Sequence, residues 1–194
     1  MKKFLPFLLL LVCSLSVSAQ NQRRVLIEEF TNASCGPCAG QNPNFNTLLA
    51  NNSDKITAIK YQTVWPGVDP MNAQNTTDVA ARVTYYSVGG VPNGFVDGVG
   101  IPNDCGYYDF APACLSAAEI ANRFATTSPV KINLSYSYSA AFDSILVDVS
   151  VTSDAALTGT LRLNVAVVEE EIAFDVAPGT NGETEFFQVM RKML

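Results

Sequence analysis

The stretch that decides the fold runs Arg24-Val25-Leu26-Ile27-Glu28-Glu29-Phe30-Thr31-Asn32-Ala33-Ser34-Cys35-Gly36-Pro37-Cys38. Arg24 to Phe30 is apolar and β-branched at its start and reads as a buried strand. A short turn then leads to two cysteines separated by two residues. Beyond them Phe45, Leu48 and Leu49 recur at helical spacing between Ala39 and Ala50, and Pro37 suits a first helical turn. The order is strand, Cys-x-x-Cys, helix. It places Cys35 at a helix N-terminus, where unpaired N–H groups and the macrodipole stabilise a thiolate, the form that attacks disulfides. Cys38, one turn further in, is placed to displace the resulting mixed disulfide. A purely structural disulfide is the competing reading. Half of a metal site is another, and it would need Cys105 and Cys114 as its remaining ligands.

Working outward, Ile56 to Gln62 reads as a second strand and Thr63 to Thr76, rich in Pro, Asn and Gly, as a loop in which Trp65 is a packing anchor. Thr77 to Tyr86 carries Val79, Val83 and Tyr86 on one helical face. Gly89-Gly90-Val91-Pro92 reads as a turn, Phe95-Val96 as a short strand, and Asp97-Gly98 as a hairpin turn. A loop from Pro102 to Pro112 holds Cys105, and Leu115 to Ala125 reads as a helix. The pattern changes at Thr126-Thr127-Ser128-Pro129. Val130, Ile132, Leu134, Tyr136 and Tyr138 alternate with polar residues, as do Ile145, Val147, Val149 and Val151, and again Leu161, Leu163, Val165 and Val167. Period-two alternation predicts half-buried antiparallel strands. The expectation is a second domain, residues 128–194, of immunoglobulin-like β-sandwich type. Such a sandwich uses about seven strands in ~100 residues. This segment is shorter, and Phe186 to Leu194 still reads as strand, so the domain is expected to be cut short.

The chain has 194 residues, of which 48% are hydrophobic and 15% charged, a globular composition. Its formal charge is −6 with no Lys/Arg cluster, which argues against a nucleic-acid partner. Histidine is absent. That excludes Ser-His-Asp and Cys-His catalysis, His-ligated zinc and His-ligated haem. No cofactor or metal is expected. Met1-Lys2-Lys3, the apolar run Phe4 to Val12, and the small residues Ser16 to Ala19 form an expected signal peptide over residues 1–19. No other segment approaches the ~20 apolar residues of a membrane span. The mature chain is expected in an oxidising compartment. Setting Cys13 aside, the spacings of the other four cysteines predict the pairs Cys35–Cys38 and Cys105–Cys114, the second a structural disulfide.

The motif resembles the thioredoxin family. Val25 to Phe30, Cys35-Gly36-Pro37-Cys38, and Gly90-Val91-Pro92 ahead of Phe95-Val96-Asp97-Gly98 carry the resemblance, over about residues 23–127. It implies a mixed sheet flanked by helices, with residues 20–127 as an α/β thioredoxin-like domain. It implies that Glu29, six positions before Cys35, is a buried acid that takes the proton of Cys38. Glu28 and Glu29 point to opposite faces of a strand, so only one is expected inside. It implies that Pro92 is a cis-proline facing the disulfide, and that Val91 and Pro92 offer backbone to an extended substrate. Ser34 stands where the family usually has Trp. The layout also resembles the Omp twenty-eight-related outer-membrane proteins of Bacteroidetes, which have a signal peptide, a thioredoxin-like domain and a β-rich domain. In that group, Val167 to Ile172, Asn181 to Thr184 and Val189 to Leu194 would belong to the second domain.

The resemblance implies a thiol–disulfide oxidoreductase of the cell envelope, in the periplasm or at the outer membrane of a Gram-negative bacterium. Its partners would be protein thiols, protein disulfides or an envelope redox protein. The alternative is a non-enzymatic surface protein that uses the same scaffold for binding or anchoring. The two readings part on whether Cys35 is exposed while Cys38 is buried.

Overall fold

Residues 21–194 are described by the computed structural model. The expected signal peptide lies outside the described residues. A central strand, β1 (Val25–Thr31), pairs in parallel with β2 (Ile56–Gln62), from Val25↔Ile56 to Thr31↔Gln62. Helix α1 (Gly36–Ala50) makes the crossover between them. Strand β3 (Asn93–Val96) runs antiparallel on the other side of β1 and turns into the two-residue β4 (Val99–Gly100). The turn is the expected Asp97-Gly98, with φ of 50° and 80°, the positive values that a type I′ hairpin turn requires. Between β2 and β3 lie α2 (Pro70–Gln74) and α3 (Thr76–Tyr86), and α4 (Ala117–Phe124) follows β4.

Helix α2 interrupts what the sequence suggested was loop throughout. Asp69 supplies the reason: its Oδ1 accepts from Met71 N–H (2.9 Å) and Asn72 N–H (3.1 Å), and Pro70 opens the helix.

The described chain divides into two units, one of residues 128–157 with Asn21 and the other of residues 22–127 and 158–194. Among the described residues no β-sandwich is seen to close over the expected 128–194. Within that range, β5 (Val130–Tyr138) pairs with β6 (Ile145–Ser153) as a two-stranded hairpin. The register sets Ile132 opposite Val151, Leu134 opposite Val149, and Tyr136 opposite Val147. Alternation brings these side chains to one face, yet Ile132, Leu134 and Tyr136 are each more than half exposed.

The last part enters the other unit. Strands β7 (Ala166–Ala173) and β8 (Glu185–Met193) form an antiparallel hairpin, and β8 lies parallel to β2 with Val189 opposite Lys60. The sheet order is β4-β3-β1-β2-β8-β7. The alternating run Leu161 to Val165 was expected to be strand, but the strand begins only at Ala166. Period two specifies a half-buried strand; it does not say which sheet that strand joins.

Both faces of the sheet are covered. On one, Val25 and Ile27 of β1 pack with Phe45 and Leu49 of α1, Ile56, Val96 and Ile120. On the other, Phe30 packs with Tyr61, Val79, Phe95 and Met190, with Trp65 partly buried at the margin. Burying Phe186, Val189 and Met190 fixes β8 in place, at about 1.5–3 kcal/mol for each side chain. Polar latches add to this. Asp78 of α3 accepts from Met193 N–H (3.0 Å) and pairs with Lys192 (2.8 Å).

Candidate functional site

Cys35 is the N-cap of α1, and Pro37 lies in its first turn. Cys35 and Cys38 are disulfide-bonded, as are Cys105 and Cys114. Cys38 N–H donates to Cys35 Sγ at 3.1 Å, and the Val91 carbonyl oxygen lies 3.5 Å from the same sulfur. The helix N-terminus and the turn before Pro92 thus meet at one sulfur atom. The Val91–Pro92 peptide is cis, and so is Trp65–Pro66, which the sequence did not single out.

The expected contrast in exposure is not found. Cys35 is 1% exposed and Cys38 0%, while Gly36 and Pro37 between them are exposed. Cys35 is buried because the segment leading to it is held on several sides. Asn32 Nδ2 donates to the carbonyls of Thr63 (2.8 Å) and Gly67 (3.1 Å). Ala33 N–H donates to Asp69 Oδ2 (2.8 Å), and Ser34 Oγ donates to the Val68 carbonyl (2.6 Å). Burial pushes the Asp69 carboxyl above its ordinary value, with the backbone donors at Ala33, Asn72 and Met71 opposing it.

Glu29 is fully buried and belongs to the face of the sheet that α1 covers. Its Oε2 lies 2.7 Å from Nζ of Lys60, its cross-strand neighbour on β2, while Oε1 has no hydrogen-bond partner. Lys60 also contacts Asn46 Oδ1 and lies 5.2 Å from the Phe45 ring centre, which ties the pair to α1. Burial raises the Glu29 pKa. The charge and hydrogen bond of Lys60 pull it down, and Glu183 pushes it up again.

The expectation that only one of Glu28 and Glu29 is inside is corrected, since both are buried. A strand with parallel pairing and helices over both faces has no solvent side. Glu28 belongs to the opposite face, where Arg82 Nε (2.8 Å) and Nη2 (3.0 Å), Tyr61 Oη (2.8 Å) and Tyr86 Oη all donate to it.

Pro92 is held from beneath. Tyr108 Oη donates to the Pro92 carbonyl (3.0 Å) and accepts from Gln41 Nε2 of α1 (2.9 Å). Gln41 Oε1 in turn accepts from Ala113 N–H (3.0 Å), beside the second disulfide. The structure therefore gathers Cys35, Cys38, Val91 and Pro92 at one end of the sheet, with Glu29 under α1. Cys105–Cys114 ties the loop before α4, where Cys114 joins the core.

Lys60, Gln41, Tyr108 and Asn181, which contacts Cys35, were not singled out from the sequence. Only Lys60 left a signal there, as the lone cation in the otherwise uncharged strand Ile56 to Gln62.

Among the described residues no group of three or more Cys, Asp or Glu could hold a metal ion, and no helix is long and apolar enough to cross a membrane. A groove of about 1120 Å³ runs between α1 and the β7–β8 hairpin and is lined by Glu170, Glu171, Glu183 and Glu185; neither cysteine reaches it.

No family model matches the sequence, and no curated protein matches it. Among solved structures, the chain is similar to HBP35 of Porphyromonas gingivalis, with a TM-score of 0.67 and 16% sequence identity. The match covers 90% of this chain and 57% of that one, so this chain spans little more than half of that protein's length. At that identity the likeness is one of fold alone; the mixed sheet flanked by helices, with a disulfide at the start of α1, is consistent with a thioredoxin-like fold.

Proposed function

We propose that the chain is an exported thiol–disulfide oxidoreductase of thioredoxin type that acts on protein thiols or disulfides in the cell envelope. The observation that carries this reading is Cys35 Sγ at the N-cap of α1, accepting the Cys38 N–H. The donor that contacts the disulfide sulfur would stabilise a Cys35 thiolate once the bond is reduced.

In the reducing direction, Cys35 thiolate attacks a substrate disulfide. One substrate sulfur leaves with the electron pair and the other stays on Cys35. Glu29 accepts the proton of Cys38, whose thiolate displaces the second substrate sulfur and closes Cys35–Cys38. The substrate gains two electrons and the protein loses them. Val91 and Pro92 offer backbone to an extended peptide. The signal-peptide reading of residues 1–19 supports the location.

The scaffold reading, a non-enzymatic envelope protein, is favoured by one observation, the burial of Cys35. Cys38→Ser separates the two. An oxidoreductase with this substitution accumulates mixed disulfides on Cys35, and Cys35→Ser abolishes them; a scaffold traps nothing. The reduction potential of the couple then gives the direction, about −270 mV for a reductant and about −120 mV for an oxidant.

A further inference from the structure

The loop between β7 and β8 comes back to the disulfide from the far end of the sequence, and the chemistry above makes no use of it. Gly179 lies against Ala33 so closely that a Cβ there would sit 2.1 Å from the Ala33 carbonyl oxygen. Thr180 N–H donates to Ser34 Oγ (3.1 Å), and Asn181 N–H to the Ala33 carbonyl (3.2 Å). The Asn181 side-chain amide donates to the carbonyls of Cys35 (3.1 Å) and Asn32 (3.3 Å), and to Glu183 Oε2. Glu183 Oε1 accepts from Asn42 Nδ2 (2.7 Å), one turn beyond Cys38 on α1, and Asn42 also donates to Thr31 Oγ1 (3.3 Å). The tie therefore ends on both sides of the disulfide, at the Cys35 carbonyl through Asn181 and on α1 through Glu183 and Asn42.

We propose that Asn181 is a positioning residue for this disulfide, and that the β7–β8 loop is a strap whose release controls how fast a thiol reaches Cys35 Sγ. The inference rests on the reading that Cys35–Cys38 exchanges with thiols. Exchange needs an attacking thiolate in line with the S–S bond, and Cys35 is almost wholly covered. The segment from Asn32 to Cys35 must therefore shift before attack. On its other sides it is held by the loop from Thr63 to Asp69, whose two ends are buried and whose Trp65 packs against the core. The strap holds it by hydrogen bonds from a polar loop that buries no large apolar side chain between Gly179 and Thr184. It is the weaker tie and the one that can open without unfolding.

The test is the rate at which dithiothreitol reduces each disulfide in the oxidised full chain under native conditions, read by alkylation and peptide mass. The reagent thiolate attacks Cys35 Sγ, and Cys38 leaves with the electron pair and takes up a proton. The second reagent thiol then displaces Cys35, and the reagent ends as its cyclic disulfide. Asn181→Ala should speed reduction of Cys35–Cys38 about tenfold and leave Cys105–Cys114 at its wild-type rate. Gly179→Ala, which wedges the strap off Ala33, should act in the same direction without touching any hydrogen-bonding side chain. Equal finite rates in wild type and both variants would overturn the inference. So would equal acceleration of both disulfides, which reports general loosening of the fold. A Cys35–Cys38 bond that resists the reagent in wild type and variants alike would instead overturn the redox reading, and the inference with it.

Discussion

Glu28 and Glu29 are neighbours on β1, equally buried, and provisioned in opposite ways. Glu28 receives two hydrogen bonds from the Arg82 guanidinium and one each from Tyr61 and Tyr86, so both its oxygens are occupied. Glu29 has one cationic neighbour, Lys60, and an oxygen with no donor. A buried carboxylate is tolerable as an ion only when charge and hydrogen bonds replace the water it lost. Glu28 meets that condition and serves the fold. Glu29 meets it in part, so its pKa rises and it can change protonation. Burial alone does not mark a proton carrier; the number of donors left over does. The carboxylate with the unfilled oxygen is also the one on the α1 side, where the cysteines are.

The largest effect expected from breaking this contrast is on stability. Glu28→Ala strands the Arg82 charge against Tyr61 and Tyr86, and removing one partner of a buried ion pair costs about 3–5 kcal/mol. Urea unfolding would measure it, and a loss under about 1 kcal/mol would contradict the structural role given to Glu28. The second effect is on chemistry. Glu29→Gln should slow the Cys38 step, release of the mixed disulfide, by about 10²-fold. Attack by Cys35 should be nearly unchanged. Stopped-flow measurement of the two phases would separate them, and equal slowing of both would remove Glu29 from the proton path.

Much of the site was legible because its signals are local. Strand, Cys-x-x-Cys and helix follow one another within a few turns, and the spacing of Cys105 and Cys114 already suggested their pairing. Both carboxylates were visible, but their fates were not. A single strand shows which residues share a face, not whether the second face is roofed; here α3 supplies that roof from some fifty residues further on. The two hairpins make the same point. β5 alternates apolar and polar residues, yet Ile132 and Leu134 stay exposed, while β8, whose apolar residues fall in adjacent pairs, buries Val189 with Ala33 and Met71 and Met190 with Phe30, Tyr61 and Val79. The difference lies in partners that a strand's own pattern does not encode. Asn181 was least legible of all, because an Asn in a Gly-rich loop reads as a turn whether or not its amide reaches a carbonyl about 150 positions away.

The third prediction uses pH. The Glu29 pKa is raised above its ordinary 4.5 in the folded protein. Between 4.5 and the folded value, the folded state holds a proton that the unfolded state has lost. Stability then falls as pH rises, by at most about 1.4 kcal/mol per pH unit for one group. The contribution is complete below 4.5 and gone above the folded pKa. Lys60, Glu183 and Tyr108 face the same carboxyl, and Asp69 is also raised. The useful quantity is therefore the difference between wild type and Glu29→Gln across pH. That difference should decline from pH 4.5 upward, and a flat or rising one would mean that Glu29 is as well provisioned as Glu28.

The smallest effect tests how complete the Glu28 network is. Tyr61→Phe removes one hydroxyl and keeps the ring, which stacks on Phe30 at 4.9 Å between centres. Glu28 Oε1 loses the Tyr61 donor at 2.8 Å and keeps Arg82 Nε at 2.8 Å. Oε2 keeps Arg82 Nη2 and Tyr86. No charge is left unpaired and no cavity larger than an oxygen atom opens. The cost should be one hydrogen bond to a charged group whose remaining donors persist, about 1.5 kcal/mol. Redox kinetics should not move, because the hydroxyl is on the face of the sheet away from α1. Two outcomes would break the contrast. A loss as large as that of Glu28→Ala would mean that Arg82 alone cannot hold the carboxylate. A change in the Cys38 step would mean that the two faces of β1 are coupled, and that Glu28 is more than a fixture of the fold.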